Sequence, residues 1–154
     1  MSDVIEQAPT RTRSRPGVAA WSLRIITAAA LGVDAFVHAD LAARYDANQG
    51  TGPLSQGDLF RIEAVVSALV ALALLLTGRT LVWIAAWLVA ASAVGALLLY
   101  RYSDPGQLGP LPDMYEPLWF REKSVAGIAE GIAVVTATLG LLEHWWRSTR
   151  SPRE

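Results

Sequence analysis

Residues 59–100 read LFRIEAVVSALVALALLLTGRTLVWIAAWLVAASAVGALLLY. Two apolar runs, 59–77 and 81–100, are separated here by little more than Gly78 and Arg79. Each is close to the ~20 residues that a helix rising ~1.5 Å per residue needs to cross a hydrocarbon core. So short a connection makes the two helices antiparallel neighbours. The second run has no charge, and Ser92 is its one polar residue before Tyr100. Trp83 and Trp87 share a face near Arg79 and suit an interfacial belt or a packing pair.

Two further runs flank this hairpin, at 18–39 and 125–142. The whole chain of 154 residues is 53% hydrophobic and 18% charged, with a mean hydropathy of +0.32, too apolar for an average soluble domain. The expected fold is all-α: a four-helix transmembrane bundle over residues 18–146, with a disordered tail at 1–17 and a polar tail at 147–154. The apolar run that begins at Val18 is long and carries no convincing cleavage site, unlike a signal peptide. Asp58 is a candidate N-cap for the second span. Arg24 is placed to snorkel to the interface. Ser92 with Gly95, and Gly127 with Gly131, are small enough to let helices approach closely.

Four spans put both termini on one side of the membrane. Eight basic residues fall on that side: Arg11, Arg13, Arg15, Arg24, Arg79, Arg147, Arg150 and Arg153. Five fall on the other: Arg44, Arg61, Arg101, Arg121 and Lys123. The positive-inside rule then makes the termini cytoplasmic, in a multi-pass protein of the cell membrane. Both long loops, 44–57 and 101–124, face outward. The second has Pro105, Pro110, Pro112 and Pro117 to stiffen it and several aromatic residues to anchor it.

The absence of cysteine excludes disulfides, thiolate metal sites and iron–sulfur clusters. The two histidines, His38 and His144, fall at opposite ends of the bundle, which argues against a bis-histidine haem. No phosphate-binding loop, dinucleotide fingerprint or nucleophile elbow occurs. Ionisable residues at membrane depth remain. Asp34 and His38 are four apart on one helical face of LGVDAFVHADLAARYD, residues 31–46. Counting ~1.5 Å per residue brings Asp34, His38, Glu63 and Glu130 to one layer in the outer half, with Arg61 nearby. Such residues usually face protein or water rather than lipid.

Three readings of this layer compete: a structural ion-pair network organised by Arg61, a site for a proton or a small polar head group, and a metal site. Bundle di-metal sites repeat a Glu-x-x-His pattern that is missing here, so no metal is expected and no catalytic residue is assigned. The favoured function is an accessory or ligand-binding membrane protein whose partners are the lipid bilayer and other membrane subunits or a quinone, with no nucleic acid. The run RIEAVVSALVALALLLTG, with Glu63 early in the second of four spans, resembles the DoxX-like group of small membrane proteins. That resemblance implies a four-helix membrane fold and, as an alternative function, a subunit linked to quinone-dependent oxidation.

Reporters placed at Asn48 and Gly109 are expected to read as external. A cytoplasmic signal at either position overturns the orientation.

Overall fold

The computed structural model describes residues 17–150, with side chains up to Thr149. The expected tail, apart from Gly17, and the last four residues lie outside the described part. Four helices follow in order: α1 (Val18–Ala42), α2 (Gln56–Thr77), α3 (Thr80–Tyr102) and α4 (Arg121–Arg150). A short 3-10 turn, Ala43–Tyr45, continues α1. Each helix is long and apolar enough to cross a membrane, which is compatible with a small integral membrane protein.

The helices extend beyond the expected spans, and at the start of α2 a side-chain cap accounts for the extension. At α2 the N-cap is Ser55 rather than Asp58. The Ser55 hydroxyl accepts from the Asp58 amide at 3.0 Å, and Asp58 Oδ2 accepts from the Ser55 amide at 3.0 Å. This capping box satisfies two amides that an open helix end would leave unpaired. The fourth helix runs on to Arg150, so residues 147–150 are helix and not tail.

At the other end of α2, Gly78 adopts φ 56°, the left-handed conformation that lets the chain reverse into α3. The guanidinium of Arg24 closes this end. Its Nε and Nη2 donate to the Leu74 carbonyl at 3.0 and 2.8 Å, and Nη2 also reaches Leu75 O at 2.5 Å. Arg24 is therefore buried, at 8% exposure, and does not snorkel. Unpaired carbonyls at membrane depth are costly, and a cation also suits the negative end of the helix dipole.

Helix α1 packs on both α2 and α4, while α3 closes the bundle against α4 and, through the tight turn, α2. The interior is built from small residues. Ala28, Ala30, Ala71, Ala86, Ala90, Ala133 and Ala137 surround Leu31, Leu74 and Trp83. Large apolar side chains such as Phe36, Leu69, Leu76, Leu88, Ile128 and Val135 point outward. That distribution fits a bundle surrounded by lipid, where close backbone packing replaces the hydrophobic effect. Trp83 is a core residue, 2% exposed, and not a belt residue. Its ring lies against Gly140, where an added Cβ would fall 2.5 Å from a ring carbon. Close packing is thus imposed at Gly140. A Cβ at Gly131 or Gly95 would meet nothing within 4 Å, while one at Gly127 would meet Leu97 at 3.2 Å.

Gly140→Ala is expected to destabilise the bundle by ~1–3 kcal/mol, because the buried indole cannot retreat. The measurement is the melting temperature in mild detergent. Adding Trp83→Leu should recover part of the loss, and strictly additive costs would refute the contact as its cause.

Candidate functional site

Asp34 and His38 lie one turn apart on α1, Glu63 and Ser67 one turn apart on α2, and Glu130 on α4. Glu130 can approach α1 because its own face of α4 is lined with alanine: Ala126, Ala129 and Ala133 are all buried. One donor atom from each of Asp34, His38 and Glu130 lies within 4.8 Å of the others. Asp34 is 1% exposed and Glu130 2%.

The bonding within the cluster is incomplete. The Ser67 hydroxyl reaches Asp34 Oδ2 at 2.8 Å and Glu63 Oε1 at 3.2 Å, so one hydroxyl hydrogen is placed between two carboxylates. His38 Nδ1 is 3.1 Å from the Asp34 carbonyl oxygen and 2.9 Å from Oδ1. In the tautomer that donates to this carbonyl, Nδ1 carries the hydrogen and Nε2 keeps a free lone pair. The contact with Oδ1 is close but off the line of a hydrogen bond. Asp34 Oδ1 and Glu130 Oε2 are both buried and accept no hydrogen bond. Phe60 stacks edge-on to His38, with ring centroids 5.2 Å apart, and Tyr45 packs on Phe60 in turn.

Arg61 does not join this group. Its guanidinium forks onto Asp46 at 2.6 and 2.8 Å, touches Asp58 at 3.3 Å, and is half exposed. Residues two apart on a helix point to different sides, so Arg61 and Glu63 cannot share a face. The fork holds the Asp46 carboxyl below the usual carboxylate range. The stability it gives the loop is present above the ordinary range and is lost as pH falls through the lowered value. The structural network expected around Arg61 therefore belongs to the loop and not to the buried layer. His144 sits at the far end of the bundle, edge-on to Trp83 at 6.4 Å.

A cavity of about 460 Å³ opens beside the cluster. His38, Glu63 and Glu130 line one part of it, and Leu41, Phe60, Leu97, Met114 and Phe120 give it apolar walls. Tyr100, Glu116 and Lys123 line it towards the loops. The Tyr100 hydroxyl is buried and has no partner among the described residues. Lys123 donates to the carbonyl of Glu116. Reading the sequence by depth singled out neither Tyr100 nor Lys123. Two signals were available: Tyr100 is a polar aromatic that ends an apolar helix, and Lys123 is the chain's one lysine.

The two loops, 46–55 and 103–120, cover this region. Asn48 donates to the Asp113 carbonyl at 2.9 Å, the Gln107 side-chain amide donates to the Thr51 hydroxyl at 2.6 Å, and Glu116 N bonds Tyr100 O at 3.1 Å. No family model, curated protein or solved structure matches the chain.

Ser67→Ala is expected to cost ~1–3 kcal/mol, because the buried Asp34 and the half-buried Glu63 carboxylates lose their shared donor. Arg61→Gln should hardly move the melting temperature, since its fork is exposed. The reverse ranking in thermal melts would place the organising cation back in the buried layer.

Proposed function

We propose that this chain is a multi-pass protein of the cell membrane, with cytoplasmic termini, that binds a small amphiphilic molecule in the outer half of the bundle. The cavity beside the cluster carries this reading. Its volume of about 460 Å³ is that of a small-molecule site. Its walls are largely apolar, and the polar lining includes His38, Glu63 and Glu130 from the cluster and Tyr100, Glu116 and Lys123 nearer the loops. Along α4, Lys123 and Glu130 are seven residues apart, or ~10 Å of helix. A ligand with a short apolar body and an oxygen-bearing head fits that spacing. The head group would meet the carboxylate and imidazole end, and the body would lie among Leu41, Phe60 and Leu97. The loops that bond to each other above the cavity favour retention of the ligand over free exchange with lipid.

A second reading is a quinone as the bound molecule, in line with the resemblance to DoxX-like proteins. The unpartnered Tyr100 hydroxyl favours it, because a phenol in an apolar wall is a donor suited to a quinone carbonyl. A role as accessory subunit to a membrane oxidoreductase would follow from that ligand. Neither reading assigns a catalytic residue.

The test uses purified protein in mild detergent, titrated with a short-tailed benzoquinone and, separately, with a short-chain lysolipid, with tryptophan fluorescence as the signal. Leu97→Trp fills the cavity and is expected to weaken binding of the true ligand class by at least ~10-fold, equivalent to ~1.4 kcal/mol. Tyr100→Phe should weaken the quinone alone. If neither probe binds, or binding survives Leu97→Trp, the cavity is not the binding site.

A further inference from the structure

We infer that Asp34, His38 and Glu130 form a binding site for a divalent metal ion of the zinc or manganese kind. This deepens the cavity reading by naming what holds its polar end, and it rests on that reading only for the route by which an ion arrives. The donor atoms already lie within 4.8 Å of one another. Donors bound at ~2.0–2.2 Å to a tetrahedral ion are ~3.4 Å apart, so side-chain movements on the order of an ångström close the shell. Two carboxylates with an imidazole suit zinc or manganese, and no soft ligand is present.

Observations beyond the clustering point to a cation. Glu130 Oε2 is a buried oxygen with no hydrogen-bond partner, and Asp34 Oδ1 has only the off-line contact with His38 Nδ1 at 2.9 Å. A carboxylate oxygen in that position demands positive charge or a proton. Apart from His38 within the cluster, the basic residues that could answer are engaged elsewhere: Arg61 by Asp46, Arg24 by the carbonyls of Leu74 and Leu75, and Lys123 by the carbonyl of Glu116. Glu63 stands just outside, tied to Asp34 through Ser67, as a group that can orient a ligand without contacting the ion. Three protein ligands leave coordination positions open, and the cavity adjoins two of those ligands, His38 and Glu130. The sequence pattern for this site is Asp-x-x-x-His on one helix plus a distant Glu, which differs from the repeated Glu-x-x-His of di-metal bundles. That difference explains why no metal was expected from the sequence.

The test takes the full chain in detergent, stripped with a chelator and dialysed, then titrated with Zn²⁺ alone and with Mn²⁺ in parallel. Bound metal is counted by elemental mass spectrometry. The expected result is one ion per chain, with affinity reduced at least ~10-fold in His38→Gln and in Glu130→Gln. Asp40→Asn, on the exposed surface, should bind as the unaltered protein does. Melting curves establish that each variant is folded; if Glu130→Gln is not, His38→Gln at the partly exposed rim carries the test. Absence of stoichiometric binding overturns the site, as does binding that survives His38→Gln or is lost in Asp40→Asn. Failure of the ion with amphiphile binding intact overturns this inference alone. Zinc binding without any amphiphile binding overturns the cavity reading alone.

Discussion

Asp34, Glu63 and Glu130 bring three carboxylates into one layer of an apolar bundle, and most of the architecture around them limits what that costs. Removing a carboxylate from water is expensive unless hydrogen bonds or positive charge replace the solvent. The bundle offers one hydroxyl, Ser67, and one imidazole, His38. Alanines at positions 126, 129 and 133 let α4 carry Glu130 up to α1, where a bulkier face would have held it away. The layer is thus close-packed in its backbone and under-supplied in its hydrogen bonds. A bundle optimised for stability alone would put apolar residues at 34 and 130. Retaining acids there is intelligible if something outside the chain completes them.

The same physics, with the opposite outcome, governs the other end. Arg24 is also buried, but its donors meet the last carbonyls of α2, and the Thr27 and Thr136 hydroxyls meet at 2.7 Å. That end is a closed structural joint in which the turn at Gly78 and the packing of Trp83 on Gly140 fix three helices together. At this end the buried charge is satisfied, although the Trp83 indole N–H has no partner, and the other end keeps unpartnered acid oxygens next to a cavity. The contrast separates a buried charge that serves the fold from buried charges that serve something else.

The helices were legible in the sequence because lipid imposes a length and an apolarity that a short window can register. The Gly78–Arg79 turn was legible because two residues leave no other topology. Depth counting placed Asp34, His38, Glu63 and Glu130 in one layer, because rise along a helix is uniform. It failed for Arg61, since depth says nothing of the direction in which a side chain leaves the helix, and a two-residue step from Glu63 turns it away. Arg24 was misread for a related reason: its partner, the carbonyl end of α2, is a feature of backbone geometry and not of residue type. Trp83 was ambiguous because a belt tryptophan and a core tryptophan have the same neighbours in sequence and differ only in whether a glycine on another helix makes room.

The cavity was the least legible feature, since it is made by what is missing between elements. Its walls come from α1, α2, α3, α4 and the 103–120 loop, and no single segment reveals it. Yet its position follows from the constraint that begins at Asp34. Helices that carry buried acids need a polar path at that depth, and small residues such as Ala93 and Ala96 on α3 leave the space open on the side that faces Glu63 and Glu130. The loops then bond to one another and to the helix ends above it, through Asn48, Gln107 and Glu116, which shelters the space at that end of the bundle. An ion at the deep end and an amphiphile in the apolar part do not compete under this geometry. A bound ion would add positive charge beside the carboxylates, and its open coordination positions would present that charge to the oxygen of a head group. The acids alone would repel an anionic or carbonyl-bearing head, so occupancy by the ion would decide which class of amphiphile the cavity accepts.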